Sequence, residues 1–379
     1  MRDPLFAMTR AVRALALLCS TAIATVASAQ STALPPLPAP IGIPTPGPVT
    51  DAPYAPQPIL PGGVVVPLYQ PGSPFLNAKR VREAEVYNVS QTVPGRINSI
   101  VNIHTPSIEF HPVDRYLNTG AAVILVAGGG HNSLNVGSEA ADFVPFFYQH
   151  GVNTVILRNR LRRDGYNAET DAVDDAQQAI RVVRAYAREW NLDPNRIGVI
   201  GFSAGAELAA PSALAFEEFD RKTRANDPFA GVSSRPDFVG IIYPGPTPFS
   251  VRNPTGPSTS AARNPSPPPI PRNAPPAFMA TAGSGDRIHA LWAMDYAYAM
   301  LDAGVPNVEI HVYGNGRHPG DSLSDGGRMT GGLSAANSRP MSTWPSRFIE
   351  WFRDLGFLQK PGVETKAARD VAAFVAQSH

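Results

Sequence analysis

The sequence is almost without cysteine: one thiol, Cys19, occurs in 379 residues. A lone cysteine excludes a disulfide framework and any Cys-based zinc or iron–sulfur site. Charge is also sparse. Asp, Glu, Lys and Arg make up 17% of the chain, and 32 basic against 31 acidic residues leave a formal net charge of +1. No Lys/Arg block is present that would track a phosphate backbone, which argues against nucleic acid as a partner. A bilayer-spanning run is missing too. The longest apolar stretch near the start, residues 14–27, falls short of the roughly 20 residues a spanning helix needs and is diluted by Ser and Thr. No internal repeat of fixed period occurs. Proline (40) and glycine (32) are abundant, and 43% of residues are hydrophobic, enough for a substantial core.

The N-terminal region and one interior stretch account for much of the proline. Arg2, Arg10 and Arg13 precede the apolar run, and Ala27-Ser28-Ala29 supplies a small-x-small cleavage pattern, with translation starting at Met1 or Met8. Residues 1–29 are therefore expected to be a signal peptide, with Gln30 the mature start and a periplasmic or secreted destination. Leu17-Leu18 before Cys19 is a poor lipoprotein signal, and no stable membrane insertion is expected after cleavage. The mature chain would lack cysteine altogether, which removes a thiol nucleophile. Residues 30–80 are assigned to a proline-rich linker, since eleven prolines fall between Pro35 and Pro61. Residues 81–359 form the expected catalytic domain, interrupted by a second proline-rich stretch over 244–276, and residues 360–379 are left as a C-terminal tail.

Within 81–359, strand and helix signals alternate. Three strands over 85–89, 97–104 and 108–111 suit an antiparallel edge. Residues 121–127 (AAVILVA) read as a strand buried on both faces. Helix signals over 139–150, 170–190, 204–216, 290–303 and 344–355 then alternate with strand signals over 153–157, 196–201, 238–243, 277–281 and 308–313. The pattern predicts an α/β fold with a mostly parallel sheet and helices on both faces.

The chemistry concentrates just beyond these strands. Gly201-Phe202-Ser203-Ala204-Gly205 lies between an apolar strand and a helix-forming run. In that context G-x-S-x-G predicts a nucleophile turn, because glycines leave room for a serine on a sharp bend. Serine alone is too weakly acidic to attack an ester, so a base and its orienting carboxylate are needed. Asp286 follows the strand over 277–281, and His318 sits in a glycine-rich turn after the strand over 308–313. Both are preferred over their rivals. Asp302 belongs to a helix end and Asp321 follows the histidine. His104 and His111 lie in early strands, His289 is close to Asp286 and opens the next helix, and His311 alternates within a strand. A third element, Ala127-Gly128-Gly129-Gly130-His131, lets backbone amides approach an oxyanion with no Cβ in the way. Gly129, Gly130 and Ala204 are the expected donors. His131 either lines the pocket or caps the following helix.

These stretches resemble the α/β-hydrolase superfamily, and within it the acetyl xylan esterase-like and hormone-sensitive-lipase-like exported esterases. The resemblance is carried by AGGGH at 127–131, by DDAQQAIRVVRAYAREWNLDPNRIGVIGFSAG at 174–205, by RPDFVGIIYPG at 235–245 and by WPSRFIEWFRDLGF at 344–357. It implies an α/β-hydrolase fold and a Ser-His-Asp acyl-enzyme mechanism at Ser203, His318 and Asp286, without metal or other cofactor. The implied substrates are small-molecule or polysaccharide esters. Where relatives usually carry Pro-Gly-Gly-Gly-Tyr this chain has Ala127 and His131. Where they carry Gly-His after the serine turn it has Ala206-Glu207. His131 and Glu207 are accordingly the expected pocket residues that set this chain apart. A serine peptidase of related fold, or an envelope binding protein that keeps the fold without activity, are the alternatives.

Overall fold

A computed structural model describes residues 54–222, 227–251, 263–318 and 340–377. The expected leader over 1–29, the first part of the expected linker and the rival acid Asp321 lie outside the described residues. In chain order the strands are β1 (Val64–Pro67), β2 (Val86–Val89), β3 (Ile97–Val101), β4 (Ser107–His111), β5 (Ala122–Val126), β6 (Asn153–Arg158), β7 (Ile197–Phe202), β8 (Val239–Ile242), β9 (Ala277–Ser284) and β10 (Glu309–Asn315). The α-helices are α1 (Phe143–Gln149), α2 (Asp171–Ala185), α3 (Ala206–Ser212), α4 (Phe216–Arg221), α5 (Arg287–Asp302), α6 (Trp344–Asp354) and α7 (Lys366–Gln377).

Eight strands form one sheet in the order β1-β4-β6-β5-β7-β8-β9-β10. From β6 to β10 every neighbouring pair is parallel, while β4 runs antiparallel to both β1 and β6. The expected mostly parallel sheet with helices on both faces is what forms. Strand residues alternate between two cores, as the period of two requires. Ile124, Val126, Val199 and Ile241 pack with α2 and α3 on one side. Val123, Leu125, Ile200 and Ile242 pack with α1 and α6 on the other. That second core is aromatic: Phe238 meets Phe352 and Phe357 at centroid distances of 4.7 and 4.9 Å. Burying each such ring is worth roughly 1.5–3 kcal/mol, so the absence of disulfides is compensated by packing.

Several expectations are corrected. Of the three early strands, only β4 joins the main sheet. β2 and β3 pair with each other as a separate two-stranded ribbon. The stretch assigned to a linker over 30–80 carries β1, and Leu68 and Tyr69 are buried in the core. Val64-Val65-Val66 is β-branched and pairs with β4 despite the prolines on either side. The expected tail over 360–379 contains α7, which buries Ala367 and Val371. The helix expected over 139–150 begins as a π-turn at Gly137–Ala141 before α1, and the one over 204–216 divides into α3 and α4, with Pro211 inside α3. The proline-rich stretch over 244–276 is described only outside 252–262. Phe249 and Ala274 on its two arms are buried, and Ser250 bridges Arg263. No helix among the described residues is long and apolar enough to cross a membrane.

Parallel pairing brings the carboxyl ends of β7, β8, β9 and β10 to one edge of the sheet. The segments that follow them carry Ser203, Tyr243, Asp286 and His318 respectively. Open α/β sheets bind their ligands at this edge.

Candidate active site

Strand β7 ends at Phe202, and Ser203 turns sharply into a short 3-10 turn ahead of α3, with φ at +51°. A non-glycine residue in the left-handed region costs about 1 kcal/mol or more, so the surroundings must hold the bend. They do so by close approach. A Cβ on Gly205 would lie 2.0 Å from the carbonyl oxygen of Val126, and one on Gly201 would lie 2.4 Å from that of Gly205. Both positions therefore require glycine, and α3 begins against the end of β5.

Ser203 Oγ donates to His318 Nε2 at 2.8 Å, and His318 Nδ1 donates to Asp286 Oδ2 at 3.1 Å. The structure thus brings together the three side chains expected from the sequence, across separations of 115 and 32 residues. Asp286 is 4% exposed and precedes α5 directly. Its burial would raise the carboxyl, but hydrogen bonds from His289 and His318 outweigh that and hold it below the usual carboxylate range. Of the rivals, Asp302 ends α5. His104 bonds Tyr166 and Asn102, His111 bonds Glu109, and His311 bonds Glu309.

His289 corrects the sequence reading, which set it aside. One turn into α5, its Nδ1 donates to Asp286 Oδ1 at 2.5 Å. Its ring stacks on that of His318, with centroids 3.7 Å apart and planes 18° apart. Burial pushes the His289 imidazole below the ordinary histidine range, despite the Asp286 bond. Asp286, His289 and His318 offer ligand atoms within 4.8 Å of one another. A metal ion bound to both Nδ1 atoms at about 2.0 Å would have to lie in the plane of each ring. Two nearly parallel stacked rings do not allow that, so the arrangement suits two N–H donors on one carboxylate. The i, i+3 spacing of Asp286 and His289 was the available signal.

The glycine run after β5 is held from behind by a second buried carboxylate that the sequence reading did not single out. Glu139, in the π-turn, accepts from the Gly128 amide at 2.7 Å and from the Tyr243 hydroxyl at 3.0 Å. Burial raises its carboxyl, opposed by those two bonds. Tyr243 in turn sets its ring edge-on to His318, 5.4 Å between centroids. Gly129 takes φ +126° with its carbonyl oxygen accepting from Asn132 and Ser133, and Gly130 takes φ +63°. Gly128 lies against the serine turn: a Cβ there would be 2.8 Å from Ser203 Cβ. Gly129 and Gly130 follow it, and the Ala204 amide follows the serine.

His131 is 4% exposed and sits in the left-handed region at φ +59°. Its Nε2 is 3.4 Å from Glu207 Oε2, one turn along α3 from Ser203. Both side chains line a cleft of about 280 Å³ whose far wall includes Pro246, Thr247 and Ser250. His131 thus lines this cleft together with Glu207.

A family model named BD-FAE matches residues 113–242, which include the glycine run and the serine turn. The fold matches an acetyl ester-xyloside bifunctional hydrolase from Caldicellulosiruptor lactoaceticus with a TM-score of 0.56 and 24% identity, covering 78% of this chain and 97% of that one. The chain has the α/β-hydrolase fold. The chain is 33% identical over 92 residues, 24% of its length, to an acetylxylan esterase of Xylanibacter ruminicola, and the match covers 18% of that protein. It is 30% identical over 125 residues, 30% of its length, to a probable carboxylic ester hydrolase of Mycobacterium tuberculosis, and covers 28% of it. The chain thus spans less than a third of the length of the curated relatives it matches.

Proposed function

We propose that this chain, with its α/β-hydrolase fold, is an exported serine esterase that cleaves short-chain carboxylic esters, among them acetyl esters of plant polysaccharide. The observation that carries the reading is the unbroken path from Ser203 Oγ through both ring nitrogens of His318 to Asp286. Matches to proteins named as an acetylxylan esterase and a carboxylic ester hydrolase support the ester as the bond attacked. Export rests on the leader pattern of residues 1–29.

In the proposed reaction His318 Nε2 takes the Ser203 proton as Oγ attacks the ester carbonyl. Asp286 holds the imidazole in the tautomer with Nδ1 protonated, and then stabilises the imidazolium. The amides of Gly129, Gly130 and Ala204 receive the oxyanion. Each preorganised donor in such a site is worth about 3–4 kcal/mol of barrier. His318 returns its proton to the departing alcohol, leaving Ser203 acylated. A water then gives a proton to His318 and attacks the acyl carbon. On collapse the bond from the acyl carbon to Ser203 Oγ breaks, His318 returns its proton to that oxygen, and the carboxylic acid leaves with the resting site restored. The chemistry needs neither metal nor organic cofactor, because nucleophile, base and oxyanion donors are all supplied by the chain.

Ser203→Ala should reduce p-nitrophenyl acetate hydrolysis by about 10⁴-fold or more without changing the fold. Rates near wild type would overturn the assignment. Acetate release from acetylated xylan, measured beside a p-nitrophenyl series from acetate to decanoate, tests the substrate class. Fluorophosphonate labelling of Ser203 separates an enzyme from a binding protein of the same fold.

A further inference from the structure

The acid at this site serves two imidazoles. Asp286 has two carboxylate oxygens, and each accepts a different ring: Oδ2 from His318 and Oδ1 from His289. The rings lie face to face, and Trp292 meets His289 with its ring plane nearly perpendicular, 5.3 Å between centroids. The cause is local. Asp286 stands immediately before α5, and a residue three positions on, in the first helical turn, lies over it. A ring there can both donate to the carboxylate and cover whatever else that carboxylate binds.

We propose that His289 is a positioning residue of the proposed ester hydrolysis: it holds the second oxygen of Asp286 and fixes the plane of the His318 ring by stacking on it. The inference rests on the reading of Ser203, His318 and Asp286 as the reacting set. Two consequences follow from the geometry. With Oδ1 occupied, the carboxylate cannot rotate away from His318 without losing a bond. With the stacked partner neutral, the proton that His318 acquires in the reaction meets no second cation 3.7 Å away. The burial that holds His289 below the ordinary histidine range keeps it in that neutral form. Among the described residues, Glu207 from α3 acts on His289 and Glu139 from the π-turn interacts with His318. Arg287 and Arg317 adjoin the two segments in sequence.

His289→Phe keeps a ring for the stack and for Trp292 but removes the donor, whereas His289→Asn places an amide donor near the position of Nδ1. On p-nitrophenyl acetate, His289→Phe should lower kcat roughly tenfold with KM changed less than about twofold, and His289→Asn should recover most of that loss. The acid limb of the kcat/KM profile should move to higher pH in His289→Phe, because Asp286 is then devoted to His318 alone and favours its imidazolium. Thermal melts of both variants check that the fold is kept. Proton NMR at low temperature supplies a readout independent of turnover: two downfield imidazole N–H resonances in the wild type and one in His289→Phe. Wild-type kcat and an unmoved acid limb in His289→Phe would overturn the proposal, as would a single downfield resonance in the wild type. If wild type and Ser203→Ala are equally inactive on every ester, the functional reading fails, and the resonance count still decides whether His289 shares the acid.

Discussion

Glu139 is a carboxylate that never meets the reacting atoms and yet stands behind them. It joins the amide of Gly128 to the hydroxyl of Tyr243, so the glycine run after β5 and the segment after β8 are tied to one buried group. Glu139→Ala would take this acceptor from the Tyr243 hydroxyl and strand the buried Gly128 amide, at a cost of about 1–3 kcal/mol, and would release Gly128. We expect kcat on a short p-nitrophenyl ester to fall roughly tenfold or more, with KM within about threefold of wild type. Glu139→Gln, which keeps an acceptor, should lie between. Wild-type turnover in Glu139→Ala would show that the glycine run holds its shape unaided. Ser203, Asp286 and His318 were legible in the sequence because each falls just beyond a strand that could itself be read. Glu139 and His289 were not, because their roles depend on which way a side chain turns. Glu139 is 104 residues from Tyr243, and that contact leaves no local pattern.

At the level of elements, the strongly periodic or uniformly apolar pieces were readable and the short ones were not. AVILV of β5 can hardly be anything but a doubly buried strand. β1 has only four residues among prolines, and its strand character comes from pairing with β4. The sequence of α7 does carry helical periodicity, but its position after a glycine and proline turn invited a tail. Helix α2 offers a test of its own. Near its start, Asp174 is pushed up to about 6, first by burial and then by the neighbouring charge of Asp175. The unfolded chain ionises this carboxyl near 3.8, so the folded state binds more protons between 3.8 and about 6. Stability is therefore lost as pH rises through that window, and the loss is complete above it. Asp174→Asn should raise Tm at pH 8 by a few degrees, corresponding to about 1 kcal/mol once partial solvent screening is allowed for. Below pH 3.8 the variant and the wild type should melt alike, and a lower Tm at pH 8 would refute the account.

For the whole molecule, the link between the proline-rich segment and the sheet is ionic. Arg158, wholly buried on β6, bonds Glu85 at 3.1 Å, Glu109 at 2.6 Å and the carbonyl oxygen of Gln57. Glu109 also accepts from the amides of Ile59 and Leu60. Residues 57–60 are thus docked on charges that belong to β4 and β6. Arg158→Met would strand two buried carboxylates, and we expect a loss of about 3–5 kcal/mol in urea unfolding, with earlier proteolytic cleavage ahead of β1. An unchanged midpoint would mean that packing alone holds this segment. The close approach of Gly205 to the end of β5 has a practical corollary for anyone wishing to retarget the proposed activity. Mutant libraries gain nothing at 201 or 205, where backbone meets backbone. Diversity belongs at 207, where the wall of the cleft is a side chain on a regular helix, rather than at 131, whose left-handed backbone restricts what can replace the histidine.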